Sequence, residues 1–322
     1  VRFRSRRPRT PAPPHFRTRM VTGTVLRKQG GVYEVETPDG VREAVMRGKL
    51  KRDDRSGDMV VVGDRVDLDR EQAGNEAAWA IMRVHDRSTV LARRAPGKAP
   101  RPKVIAANLD QVLIVFAAAN PAPHLRMLDR FLVIAADAEI RPVIVVNKTD
   151  VSGDEEARAT FAPYVKAGYD VLFTAAKRGV GVDAVRGAIC GCTSALAGPS
   201  GVGKSSLLNA VQPGLGLRVA EISEAVNKGR HTTVTAQLIP LECGGYVADT
   251  PGLRELGLWE IDRDNLQFYF PEFEPLLGGC RYPTCTHVHE PGCAVQAGAA
   301  SGEVDPGRYE SYRRMMTGED DE

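Results

Sequence analysis

The loop Gly198–Ser205 constrains the fold of this chain more than any other segment. Its sequence, Gly-Pro-Ser-Gly-Val-Gly-Lys-Ser, fits the pattern G-x-x-x-x-G-K-[ST]. Glycines in that pattern let successive backbone N–H groups converge on phosphate oxygens, and the following helix presents its positive N-terminus. A strand predicted over 193–197 precedes the loop, and a helix predicted over 206–210 follows it. We therefore expect an α/β domain that binds a nucleotide; the alternative is a glycine-rich turn that binds nothing.

Two side chains of this loop have specific expected roles. Lys204 is expected to reach the β- and γ-phosphates and to act in catalysis, and the Ser205 hydroxyl is expected to ligate Mg²⁺. The predicted nucleotide-binding positions of the loop and its helix are Gly198, Pro199, Ser200, Gly201, Val202, Gly203, Lys204, Ser205 and Ser206.

The Asn-Lys-Thr-Asp sequence at 147–150 favours guanine as the base. A carboxylate at Asp150 can accept from guanine N1–H and N2–H₂, a donor pair that adenine lacks. The alternative is a capped turn, where Asn and Asp are common. The Thr-Ala-Ala-Lys sequence at 174–177 also follows a predicted strand, which places a backbone amide near guanine O6. The predicted base-side positions are Asn147, Lys148, Thr149, Asp150 and Ala176.

Two further segments complete the set expected of a GTP site. In the Asp-Thr-Pro-Gly sequence at 249–252, Asp249 is expected to hold Mg²⁺ through water and the Gly252 amide to sense the γ-phosphate. In the Gly-Arg-His-Thr-Thr sequence at 229–233, Thr232 or Thr233 supplies a further hydroxyl for the metal. Together these elements predict GTP binding.

The order of the elements is rotated. GTPases ordinarily run from the phosphate loop through the switch Thr and D-x-x-G to N-K-x-D, whereas here N-K-x-D at 147 comes before the phosphate loop at 198. Such an order arises when neighbouring termini are joined and the chain is cut elsewhere. The new cut falls just after 249–252, so the C-terminal segment is attached to an element expected to move with γ-phosphate occupancy.

Hydrolysis requires a side chain that orients the attacking water. Many GTPases use a Gln directly after D-x-x-G, but Leu253 occupies that place. We therefore expect slow intrinsic turnover, with His231 as the best nearby substitute for the Gln. The alternative is that His231 is a solvent-exposed loop residue with no role.

Between Val21 and Leu91 the sequence has short runs in which apolar and polar residues alternate, whereas the segments that follow are continuously apolar. About five short strands, including runs over 59–66 and 80–84, predict a small barrel, either an OB-fold or an SH3-like barrel. From 112 onward, continuous apolar strands alternate with helical patterns, which predicts a mainly parallel, doubly wound sheet.

Charge divides the chain along the same line. Residues 1–103 hold 24 Lys/Arg and 13 Asp/Glu, whereas the remainder holds 19 and 28. A basic front suggests a polyanionic partner, and nucleic acid is favoured over a merely solvated surface. The predicted division is a disordered basic tail (1–20), an OB-like barrel (21–92), a linker (93–103), a circularly permuted GTPase domain (104–261), and a Cys/His-bearing domain with an acidic tail (262–322).

Three cysteines and a histidine cluster near the C-terminus, which predicts a structural Zn²⁺ site. The ligands expected are Cys280, Cys285, His287 and Cys293. Three thiolates and one imidazole suit a closed tetrahedral site; disulfides are the rival, and His289 is an alternative to His287. The remaining cysteines are expected to be small core residues: Cys190, Cys192 and Cys243.

Aromatic residues are dense just before this cluster. Phe268, Tyr269, Phe270 and Phe273 can stack on RNA bases or pack a helix face against its neighbour, and packing is favoured.

These motifs, in this order, resemble the circularly permuted, ribosome small-subunit-dependent GTPase A (RsgA) family over about residues 20–315. The resemblance implies an OB-fold, a permuted GTPase domain and a zinc domain. It also favours His287 as the zinc ligand, and it points to His231 for hydrolysis. Ala175 departs from the pattern, which often has Ser there.

The resemblance further implies a GTP hydrolase that acts late in small-subunit maturation and is stimulated by that subunit. Expected partners are the small ribosomal subunit, its rRNA and GTP/GDP; we expect a cytoplasmic monomer with no membrane partner. No stretch approaches 18 uninterrupted apolar residues, and Val1–Met20 lacks the apolar core of a secretory signal. Two rivals are an RNA-binding protein with a degenerate nucleotide pocket and a P-loop kinase or ATPase.

Overall fold

A computed structural model describes residues 20–48, 50, 59–73, 76–93, 103–215, 236–249 and 263–319, with backbone only at 71–73, 76, 77, 93, 103 and 249. Within these ranges the chain forms a barrel, an α/β sheet and a C-terminal helical region. No helix in the same ranges has both the length and the apolar character required to cross a membrane.

Five strands close the N-terminal barrel: β1 (Val21–Gln29), β2 (Val32–Thr37), β3 (Gly40–Met46), β4 (Arg65–Ala73) and β5 (Glu76–Val84). They pair in the order β1-β2-β3-β5-β4, and β4 returns to β1. Because β3 and β5 run parallel while the other pairs are antiparallel, the barrel has the Greek-key arrangement of an OB-fold. The OB-like prediction is confirmed.

The predicted strand over 59–66 is wrong in its first part, because the chain turns there before β4 begins at Arg65. The Asp64 carboxylate accepts from the Val61 amide at 2.7 Å and pairs with Arg87 at 2.7 Å. This buried carboxylate stabilises a turn where an extended strand was expected. Val90–Arg93 (β6) does not extend β5 but pairs with Lys103–Ala107 (β7).

Six strands form the α/β sheet: β8 (Gln111–Ala117), β9 (Arg141–Asn147), β10 (Asp170–Phe173), β11 (Thr193–Ala197), β12 (Gln237–Pro240) and β13 (Tyr246–Asp249). The order β10-β9-β8-β11-β13 is parallel throughout, and β12 adds antiparallel to β13. β12 also pairs with β1, so one continuous sheet runs from the α/β domain into the barrel.

Helices cover both faces of the parallel strands, as predicted: α1 (Leu125–Asp137), α2 (Thr149–Ser152), α3 (Asp154–Lys166), α4 (Val182–Ile189) and α5 (Lys204–Val211). Alternate residues of β8 point into two apolar cores. Ile114 and Phe116 pack with α1 and α3, whereas Leu113 and Val115 pack with α4 and α5. A strand buried on both faces favours apolar residues along its length, which explains the uninterrupted apolar run that follows the buried Gln111.

The C-terminal region consists of two 3₁₀ segments, Leu266–Tyr269 and Pro271–Leu276, followed by α6 (Ala294–Ser301) and α7 (Pro306–Thr317). Its apolar core includes Val133 of α1, so it packs directly on the α/β domain.

A buried arginine joins these two parts. Arg308 of α7 donates to Asp129 of α1 and to Glu272, both at 2.7 Å. Its guanidinium carbon also lies 5.2 Å from the Tyr164 ring centre and 4.7 Å from that of Phe270. Losing one partner of such a pair costs about 3–5 kcal/mol, because it leaves a buried charge uncompensated.

The expectation that Cys190 and Cys243 are separate core residues is wrong, since they form a disulfide. Cys190 directly follows α4, and Cys243 lies in the β12–β13 turn; the Gly191 amide donates to the Gly244 carbonyl at 2.8 Å. This backbone contact brings the two Cα atoms to 5.3 Å, within bridging distance. Cys192 is a free, half-buried thiol.

Candidate functional site

The phosphate loop joins β11 to α5, in the predicted strand–loop–helix context. Gly198 and Gly203 adopt φ values of +125° and +95°, in the left-handed region that favours glycine. A Cβ on Gly198 would lie 2.1 Å from the Val115 carbonyl oxygen, and one on Gly203 would lie 2.5 Å from Asn147 Nδ2. The loop therefore excludes side chains at both positions by conformation and by contact.

Lys204, at the start of α5, folds back over this loop. Its ammonium donates to the carbonyl oxygens of Gly198 and Pro199, each at 2.6 Å. Ser205 and Ser206 follow on the first turn of the helix and are half-buried. The loop thus groups one cation, two hydroxyls and the positive end of α5, a combination suited to polyphosphate.

Asn147 connects three loops that are far apart in the sequence. Its Nδ2 donates to the Val202 carbonyl in the phosphate loop at 2.9 Å. Its Oδ1 accepts from the Ala176 amide and from the Thr174 hydroxyl, each at 3.1 Å. The side chain is 2% exposed. Because its amide oxygen and nitrogen are both engaged, Asn147 holds these three loops together.

Lys148 adds a second connection between the base-side loop and the phosphate loop. Its backbone is left-handed, with a φ of +63°, and its ammonium donates to the Gly201 carbonyl at 2.7 Å and to the Asn120 carbonyl. Thr149 is buried, and its amide donates to the Thr174 carbonyl at 3.1 Å. Both residues hold the 147–150 segment in place.

An ion pair at the base-side loop was not anticipated from the sequence. Arg178 Nε lies 3.1 Å from Asp150 Oδ2; the arginine side chain is 68% exposed and the aspartate 21%. Arg178 comes two residues after Ala176 in the 174–177 loop region, so only the packing of this loop against the 147–150 segment brings the charges together. Asp150 thus presents a carboxylate that a neighbouring guanidinium already contacts.

The remaining predicted positions lie partly outside the described residues. His231, Thr232, Thr233 and Gly252 all fall there, and so does Leu253. Asp249 is the last residue of β13, which runs parallel to β11, with Ala248 opposite Ala195. Its backbone therefore lies at the sheet edge from which the phosphate loop emerges.

The predicted zinc ligands come together in a single cluster. One ligand atom from each of Cys280, Cys285, His287 and Cys293 lies within 4.8 Å of every other. His287 Nδ1 lies 3.4 Å from Cys280 Sγ and 3.3 Å from Cys293 Sγ. Three thiols and one imidazole nitrogen converging in this way can hold one metal ion, and this donor set is that of structural zinc sites.

Burial sets the protonation chemistry of this cluster. It raises the pKa of Cys285 to about 12 and lowers the pKa of His287 from its ordinary value. A neutral imidazole is the form that ligates a metal, whereas a buried thiol must lose its proton on binding. Metal binding here is therefore expected to release protons.

Two partners of the cluster escaped sequence reasoning. Gln267 Oε1 lies 2.8 Å from His287 Nε2, which directs Nδ1 toward the thiols. The Glu290 carboxylate accepts from the Thr286 amide at 2.9 Å and from the Val288 amide at 3.2 Å. It thereby holds the loop in which His287 has a φ of +60°. Gln267 is 20 residues from His287, and Glu290 follows His287 by three residues without forming a recognisable motif, so the sequence did not predict either contact.

Most of the aromatic residues before the cluster pack into the core of the C-terminal region, which is the alternative that the sequence favoured over stacking on RNA bases. Phe270 and Phe273 are buried and stack with ring centres 5.1 Å apart, and Tyr269 is partly buried on the same core. Phe268 is the exception, because its side chain is 62% exposed.

Family models match most of the chain. The model of the RsgA GTPase matches residues 84–259, and that of the RsgA N-terminal domain matches residues 22–77.

Curated relatives match over nearly their whole length. The small ribosomal subunit biogenesis GTPase RsgA of Gemmatimonas aurantiaca is 52% identical over 299 residues, which cover 92% of this chain and 97% of that protein. The protein of the same name from Moorella thermoacetica is 44% identical over 294 residues, covering 91% and 96%.

Solved structures share the architecture. YjeQ from Thermotoga maritima superposes with a TM-score of 0.75 at 33% identity, covering 93% of this chain and 98% of its own. YloQ, described as a circularly permuted GTPase, superposes with a TM-score of 0.73 at 30% identity, covering 95% and 97%.

Proposed function

The chain belongs to the RsgA family of GTPases, and from that premise we propose that it hydrolyses GTP on the small ribosomal subunit during late maturation. The observation that carries the nucleotide part is the Asn147 side chain, which joins the phosphate loop to both base-side loops. The names of the curated relatives support the subunit as partner, and the basic N-terminal region supports contact with its rRNA. We place this activity in a cytoplasmic monomer.

In this proposal each element has a separate task. The phosphate-loop amides and Lys204 stabilise the charge of the transferring phosphoryl group. The Asp150 carboxylate accepts hydrogen bonds from guanine N1–H and N2–H₂, and the Ala176 amide lies near guanine O6. Mg²⁺ bound with GTP neutralises phosphate charge, and the residues that would hold it are Ser205, Asp249 and Thr232 or Thr233.

His231 is proposed to orient the attacking water, since Leu253 has no group able to do so. Zinc is the metal proposed for the cysteine cluster. It would be structural, because four protein donors leave no position for a water.

Base recognition is tested with Asp150→Asn. An amide there presents an N–H₂ donor where the carboxylate accepted, so it no longer matches guanine and instead suits xanthine, which has a carbonyl at C2. We expect GTP affinity to fall at least a hundredfold, a loss of about 3 kcal/mol for the paired donors, and xanthosine triphosphate to bind better than GTP. Retained preference for GTP would refute this role.

The coupled function is tested by measuring GTP and ATP hydrolysis with and without purified small subunits. We expect the protein to hydrolyse GTP but not ATP, and we expect the small subunit to raise the rate of GTP hydrolysis markedly. His231→Ala should abolish the stimulated rate while GTP affinity is unchanged. Stimulation that survives in this variant would remove His231 from the mechanism, and absence of stimulation in the parent protein would remove the subunit as activator.

A further inference from the structure

One end of the barrel carries an indole flanked by two guanidinium groups. Trp79 lies on β5, and the guanidinium carbons of Arg70 on β4 and Arg42 on β3 lie 5.2 Å and 5.9 Å from its ring centre. Both distances are within the range of a cation–π interaction. We refer to Arg42, Arg70 and Trp79 as the barrel-end cluster.

Strand register shows how the barrel-end cluster forms. Arg70 pairs directly with Trp79 across β4 and β5, and Ala44 pairs with Trp79 across β3 and β5. Arg42 precedes Ala44 by two residues and so shares its face. Because Ala44 is buried in the barrel core, all three side chains belong to the inner face, at the end bounded by the β2–β3 and β4–β5 turns.

The cluster is accessible to solvent even though it adjoins the core. Arg70 is exposed, and Arg42 and Trp79 are half-buried. Trp79 packs with its inner part against the barrel core, which holds the ring in place. Because the Trp79 ring is fixed against the barrel core and is only half-buried, a base that stacks on the indole or on the adjoining guanidinium planes costs little side-chain entropy.

The positive charge of the cluster is not neutralised within the described part of the barrel. Neither guanidinium there makes an ion pair with a carboxylate. Arg42 donates to the Asp39 backbone carbonyl at 3.3 Å. The carboxylate of Asp69, which precedes Arg70 in the sequence, accepts from the Arg70 backbone amide at 2.7 Å. The two guanidinium groups therefore retain their capacity for an external anion.

We propose that the barrel-end cluster binds unpaired nucleotides of RNA, an inference that rests on the proposed rRNA partner and assigns its contact on the barrel. A guanidinium offers planar, paired donors to a phosphate, and its flat face stacks on bases as an indole does. The base faces of a duplex are hidden in the helical stack, so an indole platform selects unpaired bases. Two guanidinium groups beside one indole ring match one or two nucleotides in size.

An acidic protein segment is the alternative partner for two arginines. It would use the charges but gain nothing from the aromatic ring, because carboxylates have no face to stack on it. Participation of the Trp79 ring in binding therefore separates the two kinds of partner.

The test uses the full chain with Trp259→Phe, which leaves Trp79 as the one tryptophan of the sequence. A short unstructured oligouridylate is titrated while indole fluorescence is recorded, and binding is measured independently by anisotropy of a labelled RNA. We expect the RNA to quench Trp79. Arg42→Gln and Arg70→Gln should each weaken binding about tenfold and lower the salt dependence, log K against log salt, by about 0.7.

Arg27→Gln is the matched control, since it removes the same charge from β1, where Arg27 already pairs with Glu34 at 3.6 Å. We expect it to change RNA affinity less than twofold, on the order expected of a compensated surface charge. A double Arg42→Lys, Arg70→Lys variant keeps the net charge of the barrel but removes the two planar guanidinium groups. It should bind RNA less tightly than the parent protein.

The possible outcomes distinguish failure of the barrel-end cluster from failure of the proposed rRNA partner. Equal losses in Arg27→Gln and Arg42→Gln, or parent-like binding by the double Lys variant, would reduce the cluster to general charge and refute the proposal. RNA binding without quenching would place the contact elsewhere and leave the proposed function intact. Absence of RNA binding by the parent would refute both the cluster and the rRNA partner, and displacement of the RNA by poly-glutamate without RNA quenching would favour a protein partner.

Discussion

The candidate nucleotide site draws its parts from three loops that lie between residues 147 and 204, whereas the cysteine cluster takes all four donors from 280–293. The first is held by backbone conformation and by one buried amide, Asn147. The second is held by side-chain donors, with Gln267 behind the histidine.

This difference decides which changes each site tolerates. At the nucleotide site an added methyl group is the severe change, because Gly203 leaves no room for a Cβ. At the cluster the severe change is the loss of a donor atom, whatever the size of its replacement. A substitution that removes a donor atom but keeps the volume should therefore damage the cysteine cluster. A substitution that adds volume but removes no donor should damage the nucleotide site.

The largest effect is expected for Cys285→Ser in the cluster. A structural zinc site is worth about 10–16 kcal/mol, so one of four ligands contributes about 3 kcal/mol or more, and metal affinity should fall by a hundredfold to a thousandfold. Competition with a chromophoric chelator measures this loss. Cys192→Ser is the control, since its thiol is free and outside the cluster, and an equal loss there would contradict the assignment.

Gly203→Ala should have the next largest effect. Forcing a left-handed conformation on Ala costs about 1–2 kcal/mol, and displacing the Asn147–Val202 hydrogen bond costs about 1 kcal/mol more. Nucleotide affinity should therefore fall roughly 30- to 150-fold, as measured with a fluorescent GTP analogue.

Gly168→Ala is the matched control for that change. Gly168 has a φ of +91°, but no atom lies within 4 Å of the position its Cβ would take. It should reproduce the loss of stability with no loss of nucleotide affinity. Equal affinity losses in the two variants would show that strain alone, and not the contact with Asn147, explains the effect.

Gln267→Leu tests whether a residue behind the ligand matters to the cluster. Removing the acceptor for His287 Nε2–H frees the ring to change tautomer, so metal affinity should fall about tenfold, near the lower end for such partners. Gln267→Glu keeps an acceptor and should restore the affinity. If the Leu and Glu variants bind metal alike, the hydrogen bond has no role in the site.

The smallest effect is expected for Arg178→Ala at the base-side loop. Its ion pair with Asp150 is largely exposed and is worth at most about 1 kcal/mol. Because we propose that guanine binds the same carboxylate, removing Arg178 should raise guanine-nucleotide affinity by up to about fivefold. Arg158→Ala, which breaks an exposed pair with Asp154 on α3, should leave the affinity unchanged; a decrease in the Arg178 variant would show that the arginine assists binding.

Much of the fold was predictable because local patterns control local structure. The apolar run of β8 and the glycines of the phosphate loop each specify their conformation with few long-range contacts. The strand expected over 59–66 failed for the opposite reason. The buried Asp64, paired with Arg87 from a distant part of the chain, stabilises a turn that the apolar pattern conceals.

The candidate sites divide in the same way. The cluster ligands were predictable because four donors within one short segment have few other ways to be satisfied. The disulfide was not, since Cys190 and Cys243 are 53 residues apart and meet only after β12 and β13 join the sheet. The expectation that the C-terminal segment moves with the switch stays a prediction, but the buried Arg308–Asp129 pair fixes that segment to α1.

The sequence alone was enough to predict a phosphate loop, a guanine-type base segment, a rotated motif order and four metal donors. These features depend on residues that are close together in the sequence, and such residues also lie close together in the folded protein. The way these parts are joined depends on the folded structure, in which Asn147 links the loops, Arg178 lies beside Asp150 and three strands form the barrel-end cluster. Such contacts link residues distant in the chain, so they exist only once strands and helices have packed, and no local pattern encodes them.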